Sequence, residues 1–111
     1  LAADYINQFA IRRQTMRLVQ QQTRFFDVLL MPTSPIIPPK IKALSTIDAK
    51  LKMSGMALRN TALANFLDNP TITIPCHKPG TAPVGLSLMG LHKHDRRLLA
   101  IAAGAEATIR G

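Results

Sequence analysis

A chain of 111 residues, 47% hydrophobic, has room for one small domain with a modest core and is far too apolar to be disordered. No apolar run approaches the roughly 20 residues of a membrane helix, and no basic-then-apolar leader precedes a cleavage site, so neither a membrane span nor secretion is expected. The net charge of +8 raises nucleic acid as a partner, but the basic residues are scattered along the chain and aromatics are only 5%, which disfavours a base-stacking platform.

Asp4 to Phe26 reads as a helix. Tyr5, Phe9, Met16, Val19 and Phe26 recur at helical spacings on one face, while Arg12, Arg13, Arg17, Gln20 and Gln21 fall largely elsewhere. The period then changes. Val28 to Met31 is a continuous apolar run ended by Pro32, the pattern of a strand buried on both faces. The segment PTSPIIPP carries four prolines between Pro32 and Pro39. Each fixes its own φ and supplies no donor, so a stiff extended loop leaves the strand end, either as a binding loop or as a rigid connector. Ser45 to Leu67 is expected to be helical, with Ser45 and Asp48 as a capping box and a break near Gly55. Its apolar face is Ala57, Leu58, Ala62, Leu63 and Phe66. Asp68, Asn69 and Pro70 end it, because proline disfavours helical geometry in the residue before it. Thr71 to Ile74 alternates polar and β-branched residues, as a strand does. The turn HKPGTAP leads to a second such strand, Val84 to Met89, in which Gly85 leaves room for close backbone approach. Asp95 is expected to cap a last helix from Arg96 to about Arg110, with Leu98, Ile101, Ala102, Ala105 and Ile109 inward and Arg110 suited to the helix dipole.

Helix, strand, helix, strand, strand, helix is an α/β layered order. A run such as VLLM wants neighbours on both sides, so a larger sheet completed by further chain is expected. The chain also opens on Leu1 rather than Met, with a helical pattern at once, which suggests a portion of something longer. An isolated, partly uncovered sheet is expected to self-associate, so a homo-oligomer is one expected state.

Cys76 beside His77 invites a catalytic reading. A thiolate needs an imidazole within about 3 Å, however, and adjacent residues in extended backbone point to opposite sides. A small buried thiol at a strand end is the better account. A single cysteine excludes an internal disulfide and fits a reducing, cytoplasmic setting. His77, His92, His94 and Cys76 lack the spacing of a zinc finger or an H-E-x-x-H pair, so no metal is expected. Glu106 is the only glutamate, and Asp27 and Asp68 flank strands, which leaves an acid/base pair of carboxylates unsupported. No glycine-rich loop opens a helix to hold phosphate. Ser54 lies inside a helical stretch and Ser34 has no evident base, so no nucleophile, base and oxyanion hole assemble.

Three segments in order, RFFDVLLMPTSPIIPP, RNTALANFLDNPTITIPCHKPG and APVGLSLMGLHKHDRRLLAIAAGAE, resemble the C-terminal part of the amidase signature family, roughly from Arg24 to Glu106. The resemblance implies an α/β fold: the C-terminal part of that family's mixed β-sheet flanked by helices, an incomplete domain over residues 1–111. The family hydrolyses carbon–nitrogen amide bonds and includes the amidase subunits that make glutaminyl- and asparaginyl-tRNA. It uses a Ser–cis-Ser–Lys triad and needs no metal or organic cofactor. Those serines sit in a glycine- and serine-rich segment N-terminal to the region matched here. This sequence has no such segment and no matching lysine, so no catalytic residue is assigned to it. Cys76 matches a family position outside the triad. What the resemblance assigns is sheet scaffold and pocket wall, with Thr33 and Ser34 in the proline loop and Asn60, Asn65 and Asp68 in the helix-to-strand segment as substrate contacts. Asp68 and Asn69 stand where many members carry Gly-Leu. The implied partners are the missing N-terminal part of the amidase and a small amide substrate.

Two readings of other classes stand beside this one. A non-catalytic basic binding module derived from an amidase would act through its positive charge and bind anionic surfaces with a steep salt dependence. An autonomous cysteine- or metal-dependent enzyme would lose activity on Cys76→Ala.

Overall fold

The chain, seen in a computed structural model that describes all 111 residues, begins with helix α1, Ala2–Thr23. No glycine or proline interrupts it, and Ala, Gln and Arg favour it. It stops short of Phe26, which lies beyond the helix and is exposed. Of the expected inward stripe, only Met16 and Val19 reach the body, against Ala64, Leu67 and Met89. Tyr5 and Phe9 are exposed and stack edge-on to each other.

Strand β1 is Leu29–Pro32. The sheet has the order β1-β3-β2, with β2 at Thr71–Pro75 and β3 at Gly85–Met89, and both pairings are antiparallel. The expectation of a strand buried on both faces is therefore corrected for β1. It is an edge strand, and Leu30 is 62% exposed. The buried strand is β3, whose Leu88 is 1% exposed.

Register explains which residues meet. Leu30, Leu88 and Ile72 lie opposite one another, as do Pro32, Leu86 and Ile74. With a side-chain period of two, these share one face. On it Ile74 and Leu88 pack with Leu98 and Ala102 of helix α3, Asp95–Arg110. Helix α3 lies mainly over β2 and β3, and Leu30 on the edge strand stays exposed. The opposite face carries Leu29, Met31 and Met89 against Ala64 and Leu67 of helix α2, Ile47–Leu67.

Helix α2 is capped by Thr46, whose hydroxyl accepts the Ala49 N–H at 3.2 Å, rather than by the expected Ser45–Asp48 box. Ser45 follows directly on a short 3-10 turn, Ile41–Leu44, and keeps αR dihedrals. The extended Thr46 has the geometry an N-cap needs. No break occurs at Gly55; the helix is continuous. It ends at Asp68, in the left-handed region at φ 57°, with Asn69 N–H donating to Ala64 O at 3.2 Å.

Asp95 is the first residue of α3 and not its cap. His94 precedes it, and the His94 carbonyl accepts the Leu98 N–H at 2.9 Å. Leu98, Ile101, Ala102 and Ala105 face the sheet as expected, whereas Ile109 is 40% exposed. Arg110 pairs with Glu106 at 2.6 Å, and Arg97 pairs with Asp27. No helix is long and apolar enough to cross a membrane.

Candidate functional site

The proline loop leaves β1 under firm restraint at its root. Asn60 of α2 donates from Nδ2 to the Pro32 carbonyl at 2.7 Å, and the Thr33 N–H donates to Gly85 O at 2.9 Å. The Thr33 hydroxyl then joins two others. Its Oγ1 lies 3.1 Å from Thr73 Oγ1 and 2.8 Å from Ser87 Oγ, and Thr73 and Ser87 are 3.1 Å apart. Three hydroxyls on three adjacent chain segments thus close a ring. Each can donate once and accept twice, so the ring satisfies Ser87, which is 2% exposed.

Gly85 makes the ring fit. A Cβ there would lie 2.6 Å from Thr73 Cγ2 and 2.8 Å from Thr33 Oγ1. The space expected for close backbone approach is taken by these two side chains.

Beyond the ring opens a groove of about 640 Å³. Residues 33–39 form one side of it, and Pro75, His77, Pro83 and Val84 contribute to the rest. Its prolines restrict the backbone, and His77 is its only titratable group. The Val84 carbonyl accepts from His77 Nδ1 at 3.2 Å and from the Cys76 thiol at 3.6 Å. A carbonyl only accepts, so His77 carries its proton on Nδ1. The thiol bonds this carbonyl and not the imidazole, and Cys76 is exposed rather than buried as expected. His77, His92, His94 and Cys76 do not gather into a group of metal ligands.

The five residues expected at the site are placed unequally. Thr33 and Asn60 meet at the loop root. Ser34 lines the groove, and its Oγ sits 3.5 Å from the Ile36 N–H. Asn65 lines, together with Thr33 and Asn60, a smaller cleft between α2 and the sheet, and its carbonyl accepts from Arg12 at 3.2 Å. Asp68 shares a further cleft with Asn65 at the C-terminal end of α2, where its carbonyl is 2.6 Å and its carboxylate 3.5 Å from His92 Nδ1. Sequence reasoning missed Thr73 and Ser87. The alternation in TITIP and GLSLM puts each on a definite face, but only the register, Thr73 opposite Ser87, brings them to Thr33.

A helix-flanked antiparallel sheet with a proline-walled groove beside it is the α/β architecture that these residues define. The family profile described as Amidase matches residues 1–99. The chain is 35% identical over 105 residues to a glutamyl-tRNA(Gln) amidotransferase subunit from Sulfurisphaera tokodaii, covering 95% of this chain and 22% of that protein. It is 39% identical over 84 residues to the 2-amino-5-chloromuconic acid deaminase of Comamonas testosteroni, covering 75% of this chain and 18% of that one. Among solved structures, the corresponding glutamyl-tRNA(Gln) amidotransferase subunit from Thermotoga maritima superposes with a TM-score of 0.70 at 25% identity, over 87% of this chain and 21% of the other. The chain belongs to the amidase family. It spans about a fifth of the length of these relatives.

Proposed function

We propose that these residues are the C-terminal portion of an amide hydrolase, supplying sheet scaffold and one wall of the substrate pocket. The Ser–cis-Ser–Lys triad then belongs to a part of the protein outside them. One observation carries this reading: a chain of the amidase family, about a fifth of its relatives' length, holds a proline-walled groove in which Ser34 bonds the Ile36 N–H and no serine hydrogen-bonds a base. The Thr33–Thr73–Ser87 ring and Asn60 fix that wall, and Ser34 faces the space where a small amide would lie. The names of the two curated relatives, one a deaminase and the other part of an amidotransferase, fit chemistry at a carbon–nitrogen bond with differing substrates. No metal or organic cofactor is assigned to the reaction.

The intact mass of the complete gene product, taken after treatment with a serine-reactive fluorophosphonate, tests the reading. A labelled polypeptide larger than 12.1 kDa is the expected result. A label on a 12.1 kDa chain would place the nucleophile among these residues and overturn the assignment. An unlabelled product would shift the function to binding.

A basic binding module is the second reading, favoured by one observation. Among the lysines and arginines only Arg97 and Arg110 pair with a carboxylate. If the rest engage an anionic surface, affinity should fall steeply between low and physiological salt.

A further inference from the structure

The walls of the proline groove differ in chemistry from the rest of the chain. Charged residues make up 18% of the sequence, yet none of the 14 residues that line the groove is an aspartate, glutamate, lysine or arginine. Donors are as scarce as charges. Pro35, Pro38, Pro39, Pro75 and Pro83 have no N–H to give. Thr33 and Thr73 use their hydroxyl protons in the ring with Ser87, and the Thr33 N–H goes to Gly85 O. His77 gives its Nδ1 proton to the Val84 carbonyl. The Ser34 hydroxyl is the one side-chain donor of the lining left uncommitted. What the groove does offer is apolar surface. Ile36, Ile37, Ala57 and Val84 line it among the prolines, and Ile37 and Val84 are 61% and 45% exposed. Its volume of about 640 Å³ lies within the roughly 300–1,000 Å³ of small-molecule sites. The fixed φ angles of the prolines limit how far the walls can collapse, so little is lost in ordering them around a ligand.

We propose that this groove holds an uncharged, apolar acyl group of the substrate, and that amides carrying a carboxylate or an ammonium group at that place are rejected. The proposal rests on the amidase reading and names its substrate class. Removal of apolar area from water is the one large favourable contribution that such walls supply. A carboxylate would meet no cation and a single free side-chain hydroxyl, and an ammonium group would meet no carboxylate. Either would lose hydration without replacement.

Hydrolysis of primary amides by the complete gene product tests this. From acetamide to hexanamide, kcat/KM is expected to rise about twofold to fourfold per methylene. The sharper comparison is between 4-methylpentanamide and succinamate, in which a carboxylate replaces the branched end at the same shape. The uncharged amide is expected to be favoured at least about tenfold. Ile37→Lys changes an exposed loop side chain and supplies a cation, so it is expected to narrow that ratio about fivefold. Val84→Thr keeps the shape of its residue and is expected to narrow it about threefold. A flat series, equal use of the two isosteres, or a ratio unmoved by both substitutions would overturn the proposal and give the groove to another segment of the protein. If no amide is cut, saturation transfer from the protein to the two isosteres decides the groove: stronger transfer to 4-methylpentanamide supports the proposal, and equal or absent transfer overturns it. Absence of the fluorophosphonate label would overturn the amidase reading separately.

Discussion

Ser87 is a polar residue at the most buried strand of the sheet, and its neighbours explain why it is tolerated. Thr33 and Thr73 satisfy it, so removing it costs one hydrogen-bonding group while the 3.1 Å bond between the two threonines remains. Ser87→Ala is expected to lower stability by about 1 kcal/mol, read as a shift in denaturant midpoint. Gly85→Ala is expected to be worse, by about 1–3 kcal/mol, because its methyl would meet two stiff β-branched side chains at 2.6 and 2.8 Å. If both substitutions were equally mild, the ring would not be what holds the loop root. At Asp68 the expected sign is reversed. Its φ of 57° favours glycine, and its exposed carboxylate lies 3.5 Å from His92. The shorter 2.6 Å contact of His92 is to the backbone carbonyl, which any residue keeps. Asp68→Gly should therefore raise the denaturant midpoint, by up to about 1 kcal/mol.

The elements join through a few specific bonds. Arg12 of α1 donates to the carbonyls of Phe66 and Asn65, at 2.7 and 3.2 Å, and its guanidinium lies 5.9 Å from the Phe66 ring centroid. It thereby serves the last carbonyls and negative end of α2. Arg12→Met is expected to cost about 1–2 kcal/mol, and Arg12→Lys to recover only part, since an ammonium lacks the planar fork. Equal stability of all three proteins would mean that α1 is held by Met16 and Val19 alone. Such joints are also where sequence reading stopped. The six main elements and their order were legible, because 3.6- and two-residue periods and the Asp68-Asn69-Pro70 stop are local signals. The cap at Thr46 was hidden by the 3-10 turn before it, and the edge position of β1 by its apolar run, which looks the same at an edge as at a centre. At the site, the proline loop and Asn60 were legible as a region. The hydroxyl ring was not, because it depends on pairing between segments 40 and 54 residues apart in sequence.

As a whole the molecule is a slab of 48 × 41 × 18 Å with a radius of gyration of 17.0 Å, against about 13 Å for a compact domain of this length. Only 9 of 111 residues are buried, and Tyr5, Phe25, Phe26, Leu30, Leu51 and Leu58 stand more than half exposed among other large apolar side chains. Such a surface is far more than a stable monomer exposes. The isolated 111 residues are expected to sediment as oligomers or aggregates, and Leu30→Lys at the sheet edge to reduce that association. A monodisperse monomer with a cooperative melt would show that the uncovered faces need no covering. The strand order has a consequence in time. Neither β1 nor β2 touches the other; both wait for β3, the last of the three to be made. Strand β2 waits only for a short turn, but β1 leaves the ribosome several seconds before its partner, at about 5–20 residues per second. During that interval Leu29–Pro32 and the proline loop have no sheet to join, and a chain interrupted before Gly85 would have none at all. The groove wall is thus among the last features these residues acquire during synthesis, and the aggregation-prone edge is among the first they must shelter.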